Sequence, residues 1–108
     1  MPTPRPLMAE PAPDGRLETL LLDPTRLRVA AALQAAGEVE SSYVRDRVGL
    51  TDSALSEQVR VLAEAKLVDT RRERIGVARR LWLRLTPHGR QRLAVQADTL
   101  RRIVNLDS

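Results

Sequence analysis

The 108-residue sequence contains no cysteine, no phenylalanine, one tyrosine, one tryptophan and one histidine. The lack of Cys excludes disulfides and thiolate metal sites. A single His leaves zinc to carboxylates almost alone, a poor donor set, so neither a metal nor any other cofactor is expected. With so few aromatics, the core must come from Leu, Val and Ala. That suits closely packed helices, because Ala and Leu lead the helix-propensity ranking. Also missing is any apolar run near the roughly 20 residues that span a bilayer. The proline-rich start holds no signal-like apolar stretch. A soluble cytoplasmic protein without membrane association is therefore expected. Enzyme chemistry is not: no nucleophile–base pair surrounds His88, which reads as structural, and no glycine-rich loop cradles phosphate.

What is present is unevenly distributed charge. The formal net charge is +4. Residues 1–65 carry seven basic and ten acidic side chains, whereas residues 66–92 carry nine basic and two acidic ones. The remaining tail is neutral. A local block of +7 is a footprint for a polyanion more than a solubility device. All but one of the basic residues are Arg, the side chain suited to bidentate phosphate contacts.

The length suits one domain. Residues 1–15, with Pro2, Pro4, Pro6, Pro11 and Pro13, read as an extended or disordered arm. A short helix is expected at 16–22. Asp23 as N-cap and Pro24 at N1 then open a helix to about Ala36, stopped by Gly37. Glu38–Glu40 alternates as a small edge strand. Ser41 or Ser42 can cap a third helix through Val48, and Thr51 a fourth, in which Leu55, Val59 and Leu62 form one buried stripe. From Leu67 the period changes to two. Residues 67–73 and 79–85 read as strands around a loop at 75–78, with Leu81, Leu83 and Leu85 on one face. A last helix opens at Thr86-Pro87. Its Leu93, Ala97, Leu100 and Val104 follow 4-3-4 spacing, a narrow apolar seam. This divides the chain into the arm at 1–15, a domain at 16–92, and the outer part of the last helix at 93–108.

Helix, short strand, helix, turn, helix, hairpin is the winged-helix layout, mainly α with a small β-hairpin (α+β). The turn is Val48-Gly49-Leu50-Thr51: Gly takes positive φ, Leu50 plugs the gap between helices, and Thr51 caps the next one. In such a helix-turn-helix unit the second helix enters the major groove with its N-terminal residues on base edges.

From about Leu22 to Leu93 the sequence resembles the winged-helix transcriptional regulators of the MarR/ArsR-like superfamily, closest to short stand-alone DNA-binding members. The resemblance is carried by Asp23-Pro24-Thr25-Arg26-Leu27, by Gly49-Leu50-Thr51, and by Leu55-Ser56 with Val59, Leu62, Ala65, Leu67 and Val68. Leu85-Thr86 and Gly89-Arg90 complete it. It implies that Asp52, Ser53, Ser56, Glu57, Gln58 and Arg60 occupy DNA-contacting positions and that Arg79 and Arg80 sit on the wing. It also implies a homodimer joined through the N- and C-terminal helices. There are departures. Lys66 stands where the family has Gly at a helix end, implying strain of roughly 1 kcal/mol. Glu57 stands where a neutral or basic residue is usual. The metal-sensing thiols and the longer helices of effector-binding relatives are missing.

The expected partner is double-stranded DNA. Arg74, Arg79 and Arg80 near the hairpin tip are the wing candidates, since strand neighbours alternate faces and not every Arg can point the same way. Gln58 reads equally as a contact or as half-buried packing. Trp82, opposite the leucine face, reads as packing, with a partner contact as the alternative. Leu93, Ala97, Leu100 and Val104 are the dimerisation candidates. The expected function is a homodimeric transcription regulator, most simply a repressor in a bacterial cytoplasm. The alternative is a protein-interaction winged helix without DNA binding. A small-molecule effector is left open without being indicated.

Overall fold

The computed structural model describes residues 18–106. The proline-rich arm and the first two residues of the helix expected at 16–22 lie outside them. The rest of that segment is a single 3-10 turn, Thr19–Leu22, which buries Leu21. Helix α1, Pro24–Ala36, starts as its sequence predicts: the Asp23 carboxylate accepts from the Arg26 N–H, and Pro24 fills the first turn, where no N–H is needed. Strand β1, Val39–Glu40, runs directly into α2, Ser41–Val48. The expected serine cap is not used. Glu40 occupies the cap position without a side-chain bond, because the strand leaves Ser41 already inside the helix.

Gly49 ends α2 in the left-handed conformation (φ 80°), and both its N–H and that of Leu50 return to the Arg45 carbonyl. Helix α3, Asp52–Glu64, is capped by Thr51, whose hydroxyl accepts from the Ala54 N–H. Strands β2, Val68–Ile75, and β3, Ala78–Leu85, are longer than their sequences suggest. The expected four-residue loop shrinks to Gly76-Val77, with Ile75 paired to Ala78. Gly76 at φ 61° supplies the positive-φ first position that a two-residue hairpin turn needs. The sheet order is β1-β3-β2, antiparallel throughout.

Helix α4, Pro87–Val104, runs without a break across residue 92. One core joins all layers: Leu21; Val29, Ala30 and Leu33 of α1; Val44 of α2; Leu55, Val59 and Leu62 of α3; and Leu67, Val68, Leu83 and Leu85 from the sheet side. Burying each such Leu or Val contributes about 1.5–3 kcal/mol. Leu50 packs against this core from the turn between α2 and α3.

Candidate nucleic-acid interface

The face of α3 opposite its buried stripe is open. Asp52, Ser53, Ser56, Glu57 and Arg60 are all exposed and line one shallow concavity. Capping at Thr51 and the Gly49 turn present this face rigidly. Gln58 belongs to a different surface: its Oε1 accepts from Arg26 Nη1 at 3.1 Å, and the same guanidinium donates through Nε to the Leu20 carbonyl at 2.8 Å. Gln58 thus ties α3 to the start of α1.

The cations near this face are held by acids. Arg45, on α2, donates to Asp46 at 2.9 Å and to Asp52 at 2.8 Å, and these bonds push its guanidinium further above its ordinary range. Arg60 bridges Glu57 (2.5 Å) and Glu64 (3.1 Å) along one side of α3 and is raised for the same reason, the Glu57 bond first. In water such exposed pairs are weak and exchangeable. They order the side chains without closing them to another ligand.

On the wing, strand parity sorts the arginines. Leu81, Leu83 and Leu85 face the core, so Arg80, Trp82 and Arg84 face away. The outward face is balanced. Arg80 donates twice to Glu40 (2.8 and 2.9 Å), Arg71 pairs with Glu38 at 3.3 Å, and Arg84 pairs with Asp69 at 3.4 Å. Trp82 Nε1 donates to Glu73 at 2.8 Å, and the Arg71 guanidinium lies 5.3 Å from the Trp82 ring centre. Trp82 is therefore fixed within its own sheet.

The inward parity holds Arg72, Arg74 and Arg79. Arg74 and Arg79 are directly opposite across the ladder, and Arg72 is two residues along on the same face. With Ser41, Leu81 and the edges of Glu73 and Arg80 they line a concavity beside the start of α2. None of the three has an acidic partner among the described residues. Like charges directly opposed on a ladder repel, so this face carries a local excess of positive charge.

Of the wing candidates, Arg74 and Arg79 thus share a face, whereas Arg80 lies on the other, bound to Glu40. Sequence reasoning counts Arg72 among the basic hairpin residues but not among the three wing candidates. The leucine parity could have found it, since the register that turns Leu81 inward turns Arg79 and, across the ladder, Arg72 and Arg74 inward too.

The seam expected on α4 is split. Its buried face is Gly89, Gln96 and Thr99, with Leu93 at the core's edge. Gln96 is fully buried but satisfied: Oε1 accepts from the Glu18 N–H at 2.7 Å, and Nε2 donates to the Leu21 carbonyl at 3.2 Å. Leu93, Ala97 and Leu100 instead form, with Leu27, Ala31 and Ala35 of α1, an open groove of largely apolar character. Beyond it Val104 and Leu106 are each 77% exposed.

Comparison with known proteins agrees with this geometry. The family model described as winged helix DNA-binding domain matches residues 25–104. No curated protein matches the chain. A transcriptional regulator homologue from Pyrococcus horikoshii OT3 superposes with a TM-score of 0.77 at 24% identity, covering 84% of this chain and 91% of that one. The PcaV transcriptional regulator from Streptomyces coelicolor, solved with its natural ligand, gives 0.65 at 30% identity over 78% and 58%. A MarR family transcriptional regulator from Silicibacter pomeroyi gives 0.66 at 22% over 80% and 56%. The chain thus spans little more than half the length of these last two, and with the archaeal and MarR family structures it shares the fold.

Proposed function

The chain belongs to the winged helix DNA-binding domain family, and from that premise we propose that it is a sequence-specific regulator of transcription acting as a homodimeric repressor. The observation that carries the reading is the trio Arg72, Arg74 and Arg79, three unneutralised guanidinium groups on one wing face. Phosphate is the anion they suit, because the Arg fork matches it bidentately. In this reading the wing supplies affinity and register on the backbone, while Ser53, Ser56, Glu57 and Arg60 read base edges. Asp52 orients Arg45, and Gln58 braces the helix from behind. Arg80 steadies the wing through Glu40.

The second copy is assigned to the apolar groove between α1 and α4, with Leu93, Ala97, Leu100 and Val104 as contacts. Burying it against a two-fold mate covers the exposed apolar end of α4, and it places two α3 helices on successive major grooves. Residues 93–108 then serve assembly and residues 16–92 serve DNA. Repression follows from occupancy, since a dimer seated across a promoter excludes polymerase. No enzyme activity enters this reading, and its site of action is the bacterial cytoplasm.

Footprinting on genomic DNA tests it. The expected result is a two-fold symmetric protection whose half-sites lie one helical turn apart, roughly 10 base pairs, upstream of a gene whose reporter output rises on deletion of the protein. No protection at low salt would overturn DNA binding. An asymmetric single half-site would overturn the dimer.

A further inference from the structure

The groove-facing stripe of α3 is acidic, an unusual property for a surface that must approach phosphate. Asp52, Glu57 and Glu64 stand there with a single cation of the same helix, Arg60. Asp52 is neutralised from α2 by Arg45, and Glu64 lies at the helix end away from the capped turn. Glu57 is the carboxylate left in the middle of the stripe, one turn after Ser53 and beside Ser56. Arg60 holds only one of its oxygens, Oε2. Among the described residues Oε1 has no donor.

A carboxylate in the major groove needs a donor, and the base edges offer two kinds: cytosine N4 and adenine N6. Adenine sets its acceptor N7 beside N6, which repels a second carboxylate oxygen. Thymine and guanine present acceptors, O4 for one and O6 with N7 for the other. Cytosine alone presents an amino donor with no acceptor on its own major-groove edge. We infer that Glu57 is a specificity-determining residue that selects cytosine at one position of each half-site, held in place by Arg60. The inference rests on the reading of α3 as the groove helix and deepens it.

The arrangement also accounts for the bridging of Arg60. A guanidinium shared between Glu57 and Glu64 fixes the Glu57 rotamer before DNA arrives, and its remaining donors stay free for the guanine O6 and N7 of a neighbouring pair or for a phosphate. Three residues along a helix rise about 4.5 Å. Glu57 and Arg60 therefore address adjacent base pairs, and a site with neighbouring C and G is the natural fit. Selection by Glu57 is largely exclusion: a wrong base leaves a carboxylate facing an acceptor, an unpaired charge in a partly desolvated groove.

The test is selection of duplexes from a random pool by the full-length wild type, followed by binding titrations with single-base variants of the selected site. Wild type is expected to require cytosine at one position per half-site. Replacing it by thymine weakens binding about tenfold or more, the scale of one good base contact. Glu57→Ala is expected to bind all four bases there within about threefold of one another. Glu57→Gln moves the preference towards adenine, whose N6 and N7 suit an amide. Thermal melts of each variant report folding separately. If Glu57→Ala is folded and discriminates at every position as wild type does, the assignment of Glu57 is overturned while DNA reading stands. If wild type enriches no sequence at all, the DNA-reading function falls and this inference with it.

Discussion

Gly89, in the first turn of α4, packs directly against the carbonyl of Leu67, so closely that a methyl group on its α-carbon would overlap the Leu67 oxygen. The contact is backbone to backbone, and neither partner can swing aside. It is reinforced by Thr86, whose hydroxyl accepts from the Gly89 N–H at 2.8 Å and donates to the Lys66 carbonyl at 2.7 Å. The Thr86 N–H donates to Leu67 as well. The start of α4 is thereby docked on the junction between α3 and the wing.

Gly89→Ala should therefore destabilise the protein by about 3 kcal/mol, the upper range for forced overpacking. At roughly 4–8 °C per kcal/mol for a domain of this size, the melting temperature should fall by more than 10 °C. The sign is diagnostic, because Gly→Ala in an unobstructed helix is stabilising by up to about 1 kcal/mol. A melt followed by circular dichroism decides it; an unchanged or higher midpoint would show that α4 does not dock there.

Lys66 predicts the opposite sign. It is the one non-glycine residue with positive φ (65°) among the described residues. It closes α3 with paired returns, Leu67 N–H to the Leu62 carbonyl and Lys66 N–H to that of Ala63, the pattern in which glycine is favoured. Its side chain is exposed and packs on nothing the core needs. Lys66→Gly should raise stability by about 0.5–1 kcal/mol in denaturant titrations. Loss of stability would mean that the side chain contributes more than the backbone strain costs.

Much of this architecture could be read from residue order alone. Asp23-Pro24, Gly49-Leu50-Thr51 and Thr86-Pro87 are local signals, each a cap or turn whose chemistry lies within a few residues. The helices they open begin at the residues they name. The exposed stripe of α3 was legible because it is the complement of Leu55, Val59 and Leu62. Long-range pairing was not. Arg80 meets Glu40 and Arg71 meets Glu38 only because β1 lies against β3, so the basic block of residues 66–92 is partly neutralised by acids more than 30 positions upstream. Arg26 reaching Gln58 is of the same kind. Conversely, the apolar spacing on α4 showed a seam but not that Gln96 and Thr99 lie buried beside it, since a buried polar group is recognisable only with its partners.

For the wing, Arg72→Ala, Arg74→Ala and Arg79→Ala should each weaken DNA binding for every sequence. Each should also lower the slope of log affinity against log salt by about 0.9 for every phosphate that is no longer neutralised. Arg80→Ala should lower that slope less than Arg79→Ala does, because Arg80 projects from the opposite parity of the ladder, towards Glu40. Titrations between low and physiological salt measure both. Equal slopes for Arg79→Ala and Arg80→Ala would show that strand parity does not select the phosphate-binding arginines.

Ala97 offers a test of assembly that spares the domain. It is exposed on the α4 side of the apolar groove, so Ala97→Glu in a monomer should change stability by no more than about 0.5 kcal/mol. Across a two-fold helix pair the same change places two carboxylates in an apolar contact. Sedimentation equilibrium should give a dimer for the wild type and a monomer for the variant. A wild-type monomer at micromolar concentration, or a variant that remains dimeric, would move the interface elsewhere.

Gln96 is the most informative single residue for how the N-terminal segment is held. It is fully buried on α4, yet its amide substitutes for backbone partners of the 3-10 turn, accepting from Glu18 and donating to Leu21. Glu18 is fastened a second time by Arg92 Nε, at 3.1 Å in a half-buried pair. If burial of apolar surface governed this site, Gln96→Leu, nearly equal in volume, would stabilise the protein. The hydrogen bonds predict the reverse. Leucine leaves a donor and an acceptor unsatisfied in a dry environment, at about 1–3 kcal/mol for each, and net destabilisation should be about 2 kcal/mol. The loss should also be local. Hydrogen exchange at residues 18–22 should accelerate well beyond that of α3, because the turn can detach and meet water while Leu55, Val59 and Leu62 stay packed. Uniform acceleration throughout the chain would show instead that this clasp is part of the cooperative core, and that the segment entering α1 cannot open separately from α3.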